Sequence, residues 1–334
     1  MAVGRSHGVE KRKENENHRM KKSPWREQGG KCKAKKTTMA KFQIYTYMFR
    51  PVTESQPEIP FEEFRAVDVQ ESLNHKQELT GACLDDQEKL KFEFNGMEYD
   101  HRTYIRQGGI YVMRIANNGH RPAKVENHFQ IAELENHPSS LAIIDNRKDR
   151  QVIAIERNAA FGKDPALYAI IQETLRKALA PRRLTVDVAP KFHTAEFWQV
   201  WETSMKLKGI EYVDFPFAYP NLPAISDMVG EYMTEIARRT NSEPTLHLQG
   251  QNRESVKLDP ADVWLLSAIK ACAASGRPIL IKPRGTEVRK IGIESPVLEE
   301  LPDAVLKELD EKDLFDSRFQ LIVEFLNAIK LVYE

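Results

Sequence analysis

The hydrophobic pattern of this chain changes period near residue 158, and the change limits the folds open to it. Side chains at period 2 line one face of a strand, whereas spacings of three and four line one face of a helix. Upstream, Tyr45, Tyr47 and Phe49 alternate within residues 42–49, and Leu90, Phe92 and Phe94 alternate up to Asn95-Gly96. Asn-Gly between two alternating runs is the strongest short hairpin signal. A further strand is expected over 110–115, after Gly108-Gly109, and a hairpin over 141–156 around the polar turn 146–149. Residues 50–88 are acidic and loop-like, with room for a short helix.

Downstream, helices and strands alternate. Asp164-Pro165 supplies an N-cap and a proline suited to the first helical position, and Leu167, Ile170, Ile171, Leu175, Ala178 and Leu179 form the apolar face behind it. A strand over 184–188 leads to a helix from Thr194 that carries Phe197, Trp198, Trp201 and Met205 and closes at Gly209. A strand over 210–217, a helix over 224–239, a strand over 245–248 and a helix from Asp259-Pro260 to Gly276 follow. Residues 279–281 and 287–293 read as strands joined by a tight turn at Arg284-Gly285. The chain ends in a long helix with two apolar stripes. One holds Phe315, Phe319, Ile322, Leu326, Ile329 and Tyr333; the other holds Leu314, Leu321, Phe325, Ala328 and Val332. A surface helix needs only one stripe, so two mean a helix sandwiched in the core, the preferred reading, or a subunit contact. The expected fold class is α+β: a β-rich N-terminal half, an α/β half with alternating helices and strands, and a long C-terminal helix. The expected domains are residues 39–157 and 158–334, behind a disordered basic tail at 1–38.

Charge narrows the functions. The 49 basic and 49 acidic residues cancel, but residues 1–38 hold 12 Lys/Arg against 4 Glu, which leaves 37 basic and 45 acidic residues in the rest. The tail is too polar to offset its chain entropy by burial. It is either an arm that grips phosphates or a stretch upstream of the true start, because Met39-Ala40-Lys41 directly precedes the first strand. The acidic body rules out whole-surface attraction to nucleic acid, so such binding needs a local basic patch. No apolar run approaches the roughly 20 residues of a membrane span, and the N-terminus lacks the apolar segment of a secretory signal. Three scattered cysteines, Cys32, Cys83 and Cys272, suit a reducing cytoplasm and form neither a zinc ribbon nor a redox pair. His120, His128 and His137 lack metal-ligand spacing, so no metal site is expected.

No phosphate-binding glycine loop, dinucleotide fingerprint, Gly-x-Ser-x-Gly elbow or His-Glu-x-x-His pair is present. No cofactor and no catalytic residue is therefore expected. A metal-dependent nuclease needs clustered carboxylates, often with a lysine. Glu156, Asp187 and Lys191 are the nearest set, and Asp187 reads better as a solvated edge carboxylate. Three basic turns remain: Arg182-Arg183 beside Arg176 and Lys177; Arg147-Lys148 with Arg150; and Lys282, Arg284, Arg289 and Lys290 on one hairpin. Each alone reads as a solvated loop or a dipole-matched helix end, but turns that converge could hold phosphates without reading sequence. Phe197, Trp198 and Trp201 could stack bases, although their helical spacing favours core packing.

The order of elements and a few apolar strings carry a family resemblance. A hairpin ends in Val152-Ile153-Ala154-Ile155-Glu156-Arg157-Asn158, and a proline-started helix follows over 164–179. Then come the strand Leu184-Thr185-Val186-Asp187-Val188-Ala189-Pro190, a helix, and Ile210-Glu211-Tyr212-Val213-Asp214-Phe215-Pro216. Over roughly residues 40–295 this arrangement resembles the phage-exclusion proteins typified by the A component of the lambda Rex system. More distantly, it is similar to the B component of the Kiwa system. The resemblance implies a homodimer that binds DNA, duplex DNA in the expected form, without sequence preference during phage infection and without an active site of its own. It transfers no residue by position. The expected nucleic-acid contacts are the basic turns themselves: Arg182, Arg183, Lys282, Arg284, Arg289 and Lys290. A second defence-system protein is a further expected partner. The rival expectations are a divergent metal-dependent nuclease and a protein-interaction or sensor component of a defence system.

Overall fold

Thirteen residues of unbroken extended chain, Met39–Pro51, form β1, and the other elements assemble around it. Two short helices follow, α1 (Val69–Asn74) and α2 (Lys76–Asp85). The Asp68 carboxylate caps α1 by accepting from the Gln70 and Glu71 amides. Four hairpins come next: β2 (Phe92–Phe94) with β3 (Met97–Tyr99), β4 (His101–Gln107) with β5 (Ile110–Ala116), β6 (Ala123–Asn127) with β7 (Gln130–Leu134), and β8 (Ser139–Asp145) with β9 (Val152–Glu156). Asn95 and Gly96 both take positive φ, 51° and 78°, which the two-residue hairpin turn requires. The chain continues through α3 (Leu167–Leu179), β10 (Leu184–Pro190), α4 (Thr194–Leu207), β11 (Ile210–Pro216), α5 (Pro223–Val229) and α6 (Glu231–Thr240). It closes with β12 (Thr245–Gln249), α7 (Val263–Ser275), β13 (Ile279–Pro283), β14 (Arg289–Ile291), β15 (Leu298–Pro302) and α8 (Phe315–Ala328). The computed structural model describes residues 38–52, 68–118, 123–127, 130–134, 136–161, 166–293, 295–306 and 315–334. The expectations for the basic tail, Asp164-Pro165, His120, His128 and Leu314 lie outside the described residues.

β10, β1, β9, β8, β5 and β4 stand side by side in that order, all antiparallel. β15 pairs with residues 39–43 of β1 and β10 with residues 45–51, so the two lie end to end along one edge of it. Strands from both sides of residue 157 thus share one sheet, and residues 37–334 form one compact unit. The boundary expected between 157 and 158 falls inside that unit.

Both faces of this sheet are buried. Alternation along β1 sends Tyr45, Tyr47 and Phe49 into one core and Phe42 and Ile44 into another. α3 closes the first face through Leu167, Ile170, Ile171, Leu175 and Leu179, beside residues of α1, α2 and the β2–β3 hairpin. α8 closes the second through Ile322, Phe325 and Leu326. The C-terminal helix is therefore not sandwiched as its two stripes predict: it packs one face on the sheet, and of its second stripe Phe325 is buried but Leu321 and Ala328 are exposed. It is also shorter than its periodicity suggests. It stops at Ala328, and Ile329 and Tyr333 reach the core from irregular chain. Lys191 holds that chain: its ammonium, on a residue 2% exposed, donates to the carbonyls of Lys330 at 3.2 Å and Leu331 at 2.9 Å. Among the described residues no helix is long and apolar enough to cross a membrane.

β12, β11, β13 and β14 form a second, four-stranded antiparallel sheet. Its inner face, with Val213, Phe215, Ile279, Ile281 and Ile291, packs on Phe197 and Trp201 of α4 and on Leu265, Ala268 and Ile269 of α7. Three further helix expectations need correction. α3 begins at Leu167 with Ala166 as its N-cap, two residues later than the Asp-cap and proline start predict. The helix expected over 224–239 is broken at Gly230, whose φ of 90° separates α5 from α6. α7 is capped by Asp262, which accepts from the Trp264 and Leu265 amides, and not by Asp259, which caps the preceding turn at Ala261. The two sheets approach closely at Gly276. A Cβ there would lie 2.7 Å from that of Ala189 and 2.9 Å from the Pro190 carbonyl oxygen, and φ is +69°, so glycine lets α7 turn against β10.

Candidate nucleic-acid interface

Strand register decides which side chains share the outer face of the four-stranded sheet. Lys282 lies opposite Tyr212, Leu280 opposite both Asp214 and Lys290, and on the far strand Gln249 and His247 lie opposite Tyr212 and Asp214. Cross-strand partners point to the same side, and their neighbours in sequence point to the other. The neighbours Val213, Phe215 and Ile281 are buried, so Tyr212, Asp214, His247, Gln249, Lys282 and Lys290 face outward. His247, Gln249 and Lys290 are exposed, and Tyr212, Asp214 and Lys282 are half-buried. The Tyr212 and His247 rings lie against each other with centroids 5.2 Å apart, and the His247 imidazole donates to the Asp214 carboxylate.

Cations edge this face at the β13–β14 hairpin. The Lys282 ammonium donates to the Thr286 carbonyl at 2.6 Å, and the Arg284 guanidinium to the Glu254 carbonyl at 2.6 Å. Both bonds hold the side chain without neutralising it. Lys290 is exposed on the outer side of β14, whereas Arg289, also exposed, lies opposite the buried Ile281 and points to the other side of this edge strand. Lys208, exposed after α4, brings its ammonium to 3.6 Å from the position of a Cβ on Gly285. Among the described residues none of Lys208, Lys282, Arg284, Arg289 and Lys290 forms an ion pair within 4.0 Å.

The other basic turns are largely spent on structure. Arg147 and Arg150 both grip the Asp145 carboxylate, which is fully buried, at 2.7 and 3.1 Å. Arg147 also donates to Asn327 at 3.0 Å, and Arg150 to the Leu326 carbonyl, so this turn latches α8. Lys177 pairs with Glu93 at 3.0 Å. Arg176 pairs with Asp187. Arg182 and Arg183 do not join the hairpin set. They flank the start of β10, and their neighbours are not those of the hairpin, which sits against Lys208, Gly209 and Glu254. Arg183 lines a groove with Val52, Tyr219 and Arg238, and Arg182 a separate pocket with Cys83 and Leu90. Four of the six expected contacts, Lys282, Arg284, Arg289 and Lys290, thus lie on one hairpin, and of these Lys282 and Lys290 share its outer face.

The nuclease candidates do not converge on a common point. Glu156 accepts from the Leu141 amide at 3.0 Å and lies 3.7 Å from Arg114. Lys191 serves the C-terminal carbonyls. Asp187 is not a solvated carboxylate: its side chain is 15% exposed, with Arg50 at 2.8 Å, Arg277 at 3.2 Å and Arg176 also bonded. Burial alone would raise its pKa, but the guanidiniums of Arg50, Arg277 and Arg176 hold it below the usual carboxylate range. Among the described residues no group of three or more His, Cys, Asp and Glu is placed to hold a metal ion. Of the aromatic candidates, Phe197 and Trp201 are core residues, as their spacing favours.

Tyr212, His247, Gln249 and Lys208 were not selected from sequence. A signal existed for β12, where Thr245, His247 and Gln249 alternate strictly with Leu246 and Leu248, the pattern of a strand with one polar face. No protein-family model, no curated protein and no solved structure matches the chain.

Proposed function

We propose that the protein binds nucleic acid without reading its sequence, on the outer face and hairpin edge of the four-stranded sheet. The observation that carries this reading is the set Lys208, Lys282, Arg284, Arg289 and Lys290, gathered at one edge without a carboxylate partner among the described residues. Cations without partners attract phosphates and release counterions on binding. They give a mildly acidic body the local basic patch it needs. The adjoining Tyr212–His247 pair favours single strands over the duplex expected from sequence, because unpaired bases stack on exposed aromatic rings while lysines hold the backbone. The resemblance to phage-exclusion proteins supplies the setting, antiviral defence, and with it a homodimer and a second defence-system partner.

Fluorescence anisotropy with a labelled oligothymidine and with a mixed-sequence duplex tests the proposal. Both the full chain and a version beginning at Met39 should bind the single strand, with log affinity falling linearly with log salt. The absence of binding to either probe at low salt by the version beginning at Met39 would refute it. The defence setting is tested separately: cells expressing the protein should reduce phage plating, and Lys282→Glu/Lys290→Glu should restore it.

A further inference from the structure

Arg182, expected from sequence to touch phosphate backbone, is an exposed lining residue of a 470 Å³ pocket between α2 and α3. This volume is within the range that holds one small ligand. Leu79, Cys83, Leu90, Ala178 and Pro181 give the pocket an apolar lining with no aromatic ring, unsuited to stacking a base but suited to a hydrocarbon chain. Three of the cations around it are already compensated: Lys89 by Asp86 at 3.0 Å, Lys177 by Glu93 at 3.0 Å and Lys91 by Glu98 at 3.1 Å. Arg182 is exposed and has no ion pair among the described residues. An apolar surface beside one uncompensated guanidinium in the same pocket calls for an apolar body ending in a single anionic group, and the planar fork of arginine matches a carboxylate. Asp86 and Glu93, which line the same pocket, disfavour a multiply charged anion.

We propose that this pocket binds a small amphipathic carboxylate, its chain against Leu79, Leu90 and Ala178 and its carboxylate on Arg182. The site is separate from the nucleic-acid face and does not depend on that reading.

Isothermal titration of the full chain with octanoate, and with octanol as the neutral analogue, provides the test. Octanoate should bind saturably, at least tenfold more weakly to Arg182→Ala and undetectably to Ala82→Trp, which places an indole in the pocket. Octanol should bind wild type and Arg182→Ala alike. Residues 82 and 182 are both exposed, so neither change should threaten folding. Cys83 reports the location. In a Cys32→Ser protein, octanoate should slow alkylation of Cys83 by N-ethylmaleimide several-fold, while Cys272, 0% exposed, stays unreactive throughout. No saturable octanoate binding to wild type would overturn the proposal. So would binding that Arg182→Ala leaves unchanged, or binding that does not protect Cys83.

Discussion

Asp187→Asn should destabilise the protein by about 2–3 kcal/mol near neutral pH, a figure set between two limits. An exposed ion pair contributes about 0.2–1 kcal/mol, whereas stripping one partner from a buried pair costs about 3–5 kcal/mol. Asp187 is 15% exposed, but its partners Arg50, Arg176 and Arg277 are 41%, 32% and 23% exposed, so water relieves part of the loss. Two of the three also keep another bond, Arg176 to the Val186 carbonyl at 2.8 Å and Arg277 to Glu243. The expected fall in Tm is roughly 3–5 °C for a unit of this size. The sign with pH follows from the depressed folded-state pKa. The contribution is fully present above the unfolded value of about 4 and is lost as pH falls through the lower, folded value. Calorimetric unfolding of both proteins across that range should show a gap near neutrality that closes in acid. A variant as stable as wild type at neutral pH, or a gap indifferent to acid, would refute the ion-pair account of Asp187. Magnesium-dependent cleavage lost in the variant would instead restore the nuclease reading.

Burial, with the charge of Arg150 second, pushes Lys191 down to about 7. The unfolded chain, with a lysine near 10.4, then binds more protons over the interval, so stability should rise with pH from about 7 towards 10. Lys191→Met should lack that rise in a series of urea titrations. Phe197→Ala should cost about 3–5 kcal/mol without altering nucleic-acid affinity. Tyr212→Ala should cost under about 1 kcal/mol in stability but weaken single-strand binding by about 1–3 kcal/mol; the opposite pattern would remove Tyr212 from the interface. Gly276→Ala should destabilise by about 2 kcal/mol or more in chemical denaturation, because a Cβ there meets Ala189 at 2.7 Å and φ is +69°.

Periodicity and turn chemistry were legible where local physics decides the outcome. The Asn95-Gly96 hairpin, the strands at 110–116 and 184–190 and the apolar face of α3 all formed as their residues dictate. Long-range pairing was not legible. β15, sequence Leu-Glu-Glu-Leu-Pro, has no strand pattern of its own and becomes a strand because residues 39–43 of β1 offer it an edge. The division of the chain near residue 157 marked a real change of period, but β10 and β15 return to pair with β1. The Asp-Pro signal misplaced the start of α7, since Asp259 and Asp262 both cap, and only the second is followed by helix. For the candidate interface, sequence gave the cations but not their fates. Nothing in Arg147 or Arg150 foretells the buried Asp145 that binds both. That Lys282 and Lys290 have no carboxylate partner among the described residues likewise depends on where the fold places the carboxylates.

The salt dependence of oligothymidine binding by Lys282→Glu/Lys290→Glu, measured in the chain that begins at Met39, tests the interface most directly. If the two ammonium groups each hold a phosphate, the slope of log affinity against log salt should flatten by roughly 1.4, at ~0.7 per single-strand contact, and affinity should drop at every salt concentration. Charge reversal that leaves both slope and affinity unchanged would place nucleic acid elsewhere on the molecule, or nowhere on it.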